Sequence, residues 1–293
     1  MSGVLGLMLL SAVLHASWNA IVKHVGRERA ATMLTLTFAL LFSSALALAT
    51  SDPWGILNRE RVPREVLPWL LASGLGEAIY VWSLGHAFSK GDLGVTYALV
   101  RSTAMVAVWP LGILAFGEWP GGFALIATVL LIAGIYWVKV ERRTSSLRET
   151  RTAKISLGWS IVSGLAVGLY HTGYKGCARA GIPTAWAFTF TLLIAVPLLW
   201  AVLGRPLFAD VKILMKERWA SIALSGVASA GSFLLAIIAL REVSSGIVLG
   251  VRNTSVGFTL LWAFRSGERL TPRQWKGLAL LMVSVALMGA ASR

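Results

Sequence analysis

Apolar runs of about 20 residues, separated by short polar breaks, recur along the whole chain. That length crosses a hydrocarbon core as an α-helix. The pattern predicts ten spans, at roughly 3–23, 31–50, 66–88, 93–116, 121–139, 155–175, 184–203, 219–240, 246–264 and 274–291. The most polar connection, KVERRTSSLRETRTAK from Lys139 to Lys154, contains no apolar run and divides the spans five and five. The expected organisation is a first five-helix unit over 1–140, a basic polar linker over 141–154 and a second five-helix unit over 155–293. The first run, MSGVLGLMLLSAVLHASWN, has neither a basic leader nor a cleavage site of small residues, and reads as a span. Thr271, Pro272 and Gln274 form the signature of a capping box opening the last helix.

The two halves repeat each other. Val100-Arg101-Ser102-Thr103 corresponds to Val251-Arg252-Asn253-Thr254, Gly117-Glu118 to Gly267-Glu268, and Leu14-His15 through Trp18 to Tyr170-His171 through Tyr174. The three pairs keep their order and nearly constant spacing, and each falls in the equivalent span. Because five is odd, the second copy enters the membrane from the other face. The fold class expected is an all-α polytopic membrane protein, built as two inverted five-helix repeats around a central cavity.

Composition agrees with this pattern and removes other classes. Of 293 residues, 56% are hydrophobic and 14% charged, more apolar surface than a soluble domain of this length can bury. The net charge of +14 would suggest nucleic acid in a soluble protein; here the basic residues flank spans, where anionic headgroups attract them. A single cysteine, Cys177, excludes an internal disulfide and a cysteine metal cluster. No cofactor or metal is expected.

Charges inside spans are costly, about 2.5–3.5 kcal/mol for a mid-helix arginine on insertion scales, so they face a cavity or a partner. Arg101 and Arg252 enter spans four and nine from opposite faces and approach the midplane. They are candidate anchors for a carboxylate or phosphate; the structural alternative is an ion pair or a carbonyl clamp. Glu77 lies near mid-span three and is a candidate proton carrier, or else a fixed partner of Arg101. His15 and His171 each have an aromatic residue one turn on, Trp18 and Tyr174. Asn19 joins the His15 face, with Lys175 as its counterpart. This polar and aromatic lining could hold substrate, or could be hydrogen-bonded packing between helices. Tyr80, one turn from Glu77, and Tyr97, one turn before Arg101, are candidate stacking surfaces, as are Trp82, Trp109 and Trp262 more weakly. Gly164 and Gly168 mark a close helix contact in span six. Gly117-Glu118 and Gly267-Glu268 read as helix ends followed by tight turns.

The segments LHASWNAIVKHVG, FSKGDLGVTYALVRSTAM, FGEWP, REVSSGIVLGVRNTS and SGERLTP, with the ten-span repeat, resemble EamA-type transporters of the drug/metabolite transporter superfamily. The resemblance covers essentially the whole chain. It implies a helical bundle around a central cavity, alternating access, and substrate held at the repeat interface. It implies a cargo of amino acids, nucleotide sugars, organic phosphates or other metabolites, moved by proton coupling or exchange.

The function expected is therefore secondary active transport, as exporter or exchanger, of small polar metabolites, anionic or zwitterionic, first of all amino acids or other carboxylate- or phosphate-bearing solutes, by alternating access with a midplane site. Protons or a counter-substrate are possible partners, and a monomer in a bacterial-type inner membrane is favoured. A membrane enzyme acting on a lipid or lipid-linked substrate is the alternative, but no HExxH, paired aspartates or activated serine signature is present. Both termini share one face. Most lysines and arginines lie in the connections opposite that face, which places the termini outside; the resemblance implies the cytoplasm.

Overall fold

The computed structural model describes residues 2–50, 64–90, 93–139, 147–258, 261 and 271–291. These form ten α-helices: α1 (Ser2–Val25), α2 (Glu28–Thr50), α3 (Leu67–Lys90), α4 (Leu93–Phe116), α5 (Gly122–Lys139), α6 (Leu147–Arg179), α7 (Thr184–Glu217), α8 (Trp219–Glu242), α9 (Ser245–Asn253) and α10 (Pro272–Ala291). A 3₁₀ turn, Arg64–Val66, precedes α3. Six of the helices are long and apolar enough to cross a membrane, and a further apolar stretch, Gly122–Trp137, is shorter. Helices α3 and α6 fall outside that set because they carry polar residues such as Glu77, His86, His171 and Lys175.

The distribution of side chains is that of a multi-pass membrane protein. Leu41, Leu114, Phe123, Val129, Leu224 and Met282 point outward, whereas Arg101, Arg252, Glu77, His15 and His171 are each at most 2% exposed. A soluble protein would bury the first group and expose the second. With lipid outside, the apolar face needs no cover and the polar groups turn inward.

Close approaches at small residues set the packing. A Cβ on Gly164 would stand 2.7 Å from the Val100 carbonyl oxygen, and one on Gly168 2.9 Å from Ala107 Cβ, so the expected small face of α6 lies against α4. A Cβ on Gly173 would stand 2.5 Å from the Ser73 backbone nitrogen, which seats the same helix against α3. These contacts set Val100 and Thr103 of α4 beside Gly164 and Ala107 beside Gly168, and seat the α6 segment around His171 against α3.

Hydroxyl pairs join the helices before the linker to those after it. Ser11 on α1 meets Ser232 on α8, each hydroxyl donating to the other's carbonyl, at 2.7 and 2.9 Å. Thr35 meets Ser225 at 2.5 Å (α2 to α8), and Ser43 meets Thr189 at 3.0 Å (α2 to α7). Ser73 meets Thr191 at 2.7 Å (α3 to α7), and Thr96 meets Ser156 at 3.1 Å (α4 to α6).

Three features depart from the expected layout. Helix α6 starts at Leu147, inside the stretch expected as linker; Arg148–Lys154 contains no glycine or proline to prevent the extension. Helix α7 runs for 34 residues past Pro197 and Pro206, about 50 Å against a core of about 30 Å, so it extends beyond the apolar layer. Span nine is not continuous. Helix α9 ends at Asn253, a turn follows at Thr254, and helix resumes over 255–258. The Thr254 hydroxyl donates to the Val251 carbonyl at 2.6 Å, and the Gly257 amide turns back to Thr254 at 2.7 Å; these local bonds compete with the regular ladder. The capping box of α10 forms as expected: the Thr271 amide donates to Gln274 Oε1 at 2.8 Å, and the Gln274 amide donates to Thr271 Oγ1 at 3.3 Å.

Candidate functional site

His15 on α1 is the hub of a buried polar cluster. Its Nε2 lies 2.6 Å from Arg101 Nη2 on α4, and its Nδ1 lies 3.3 Å from Arg252 Nη2 on α9. The Trp18 indole, one turn along α1, also donates to Nδ1, at 3.2 Å, with the two rings edge to face. Arg101 further donates to Asn253 Oδ1 at 3.1 Å. Arg252 reaches His171 Nε2 and Ser232 Oγ, both at 3.4 Å, and its guanidinium carbon stands 3.9 Å above the centre of the Phe233 ring. Side chains from α1, α4, α6, α8 and α9 therefore meet at one point.

The break in span nine explains how two adjacent polar residues serve this point. Arg252 and Asn253 occupy the last turn of α9, where the helix ends, and both side chains are buried. Irregular backbone at membrane depth is tolerated where it is buried in protein or lines a cavity.

Aromatic rings close one side. Phe233 stacks on Phe188 at 5.1 Å and lies about 6 Å from both Tyr170 and Tyr174. Tyr80 leans on Tyr170 at 5.9 Å. Glu77 is on the same α3 face as Tyr80, and its Oε2 is buried without a hydrogen-bond partner. His171 Nδ1, Arg252 Nε and Asn253 Nδ2 are likewise buried without one.

The residues singled out in the sequence do not all converge. Arg101, Arg252, His15, His171 and Trp18 are brought into direct contact. Tyr80, Tyr174 and Glu77 line the adjoining aromatic wall. The Asn19 amide instead donates to the His15 carbonyl of its own helix at 2.6 Å and is only half-buried. Tyr97 lies on α4, with its side chain outside the described residues, as is Trp262. Trp82 packs with His86 and Trp159 in a separate cluster, and Trp109 donates to Thr128 at 3.0 Å. Asn253, Ser232, Phe233 and Phe188 were not singled out. Asn253 had a signal, being a polar neighbour of Arg252 inside a span; the phenylalanines are indistinguishable in sequence from lipid-facing ones.

Comparison with known proteins supports a transporter. Residues 154–290 match the EamA-like transporter family. The chain is 23% identical to an uncharacterised transporter of Bacillus subtilis (strain 168), YwfM, over 99% of this chain and 95% of that protein. Its fold is similar to that of a crystal structure with 14% sequence identity, at a TM-score of 0.71 covering 98% of this chain and 96% of the other.

Proposed function

We propose that this EamA-type membrane transporter carries a small anionic or zwitterionic metabolite by alternating access, with Arg101 and Arg252 as paired anchors at a central site. The observation that carries this reading is the imbalance of hydrogen-bond donors and acceptors around His15. A neutral imidazole offers one acceptor and one N–H. Here both ring nitrogens face N–H donors: Arg101 on one side, Arg252 and Trp18 on the other. Whichever tautomer is present, one nitrogen presents its proton to a guanidinium. The unpartnered Arg252 Nε and Asn253 Nδ2 add donors to the same region. Glu77 is the sole acidic side chain nearby among the described residues. A carboxylate, phosphate or phosphonate brings several acceptor oxygens and negative charge to a place that lacks both.

Ten spans in two inverted repeats give the framework. Its support is the reciprocity of helix partners: α1 packs on α8 as α6 packs on α3, and α2 on α8 as α7 on α3. The hydroxyl pairs Thr35–Ser225 and Thr191–Ser73 match under the same exchange. The broken helix beside Arg252 fits a binding site at the repeat interface. Glu77, buried beside the aromatic wall, is the proton carrier in this scheme.

The test is a thermal-shift panel on purified protein with amino acids, organic acids, phosphate esters, phosphonates and neutral or cationic controls. Acids alone should stabilise it, and the effect should vanish in folded Arg101→Ala and Arg252→Ala. Equal stabilisation of both variants by the same acids would remove the arginines from the site.

A further inference from the structure

One turn beyond His171 on α6, Lys175 closes one end of the cluster. Its ammonium pairs with Glu118 Oε1 at 3.1 Å and donates to the Val243 carbonyl at 2.8 Å. The two charged side chains are 6% and 9% exposed. Glu118 Oε2 accepts the Ser245 amide, the first of α9, at 2.9 Å. The N-cap residue Ser244 makes no side-chain cap bond of its own, so Glu118 caps α9 from the loop after α4. Glu118 is aimed there by the turn that ends α4, where Gly117 takes φ 68° and the Glu118 amide returns to the Gly112 carbonyl at 3.2 Å. Beside this turn lies a cavity of about 270 Å³ lined by Trp109, Trp119, Val243, Ser244 and Ile247, among others. Val243 belongs both to this cavity and to the Lys175 contact. One ion pair thus ties the ends of α4 and α8 and the start of α9 to α6, next to this cavity and one helical turn from His171.

We propose that Lys175 is an outer anion-binding residue whose site Glu118 occupies in the closed mouth, and that an incoming acid opens the mouth by replacing Glu118. This rests on the anionic cargo proposed above. A buried ammonium is not left without a counter-charge, so the pair resists separation unless another anion takes over. Lys175 is held within α6, four residues before its end, whereas Glu118 sits in a loop, so the carboxylate is the mobile partner. An acid at Lys175 supplies what Glu118 supplied, to the ammonium and to the amide end of α9. Helix α9 also carries Arg252, two turns further on, so the element released at the mouth is the element that bears a central anchor. The equivalent position in the first half is Asn19, which has no charge, and so this acid-operated latch belongs to one end alone.

The experiment uses the full chain with Cys177→Ser and a reporter, Ser245→Cys, at a position buried behind the latch. Alkylation is timed in sodium phosphate and in sodium chloride at equal ionic strength. Phosphate should accelerate it about tenfold, the effect of lowering the opening cost by one decade. Glu118→Gln should give fast alkylation in both salts. Lys175→Met should abolish the response to phosphate. Because that variant leaves a lone buried carboxylate, Glu118→Gln/Lys175→Met is measured beside it and should also show no response. Equal rates in the two salts with Lys175 present, or a phosphate response that survives its removal, would overturn the proposal. Failure of the central-site reading registers separately, as acid binding unchanged in the arginine variants.

Discussion

Arg101 and Arg252, from opposite halves of the chain, are held against the two nitrogens of one imidazole, that of His15, at 2.6 and 3.3 Å. Two buried cations of like sign are thereby separated by a single neutral ring. The arrangement costs desolvation of both guanidiniums, a cost that the anionic ligand proposed above would offset.

Replacing either arginine with alanine should weaken binding of an acid by about 10- to 100-fold, the worth of one charge-assisted hydrogen bond of roughly 1.5–3 kcal/mol. A neutral analogue should lose much less. Lysine should not restore acid affinity, because a point charge cannot reproduce the guanidinium fork. Isothermal titration of the acid found by thermal shift measures this, and equal losses for acid and neutral analogue would refute selective anchoring.

His15→Phe should lower thermal stability, since it removes the ring nitrogens that both arginines contact. The cost expected is about 1–3 kcal/mol, that of leaving a buried polar group unsatisfied. Saturating acid should recover more of the melting temperature than a neutral analogue does. A melting temperature equal to that of the parent would contradict the bridging role.

Glu77→Gln should abolish proton-driven accumulation of the acid in proteoliposomes while counterflow exchange continues. Gln keeps the shape and removes the titrating proton. Accumulation driven by an imposed pH gradient at the parental rate would place proton transfer elsewhere.

Gly173→Ala should destabilise the bundle by about 1–3 kcal/mol, because the added methyl meets the α3 backbone at Ser73 and Trp69, which cannot swing aside. Gly158→Ala, in the same helix with nothing within 4 Å, should be neutral or slightly stabilising. Comparison of the two melting temperatures tests whether α3 and α6 meet as described.

Most helices were legible in the sequence because they follow its apolar runs, six of them long and apolar enough to cross a membrane. So were the arginines and histidines, since a polar group in such a run stands out and each recurs in the other half. The break at Thr254 was not legible: the apolar run continues past it, and the hydroxyl bond that ends the helix has no signature in hydropathy. Glu118 read as part of a turn, and the turn is there. Its second task, pairing with Lys175, depends on a residue far along the chain on another helix. Phe233 stayed hidden for the same reason, since its place beneath Arg252 depends on how α8 and α9 face each other.

The hydroxyl seam between the two parts of the chain bears on how they can slide. Ser73 can donate to Thr191 or to the Leu70 carbonyl of its own helix at 3.0 Å, and Thr191 to Ser73 or to Ala187 at 2.9 Å. Ser43 and Ser225 have the same fallback, at Leu40 and Ile222. When Ser73 and Thr191 part, each proton retains an acceptor within its own helix, so that separation strands neither donor. Cross-helix bonds of this kind are worth about 0.6 kcal/mol each in membranes. In the alternating-access scheme proposed above, such a seam would have grip enough to define a resting register, yet little enough friction to be crossed by thermal motion.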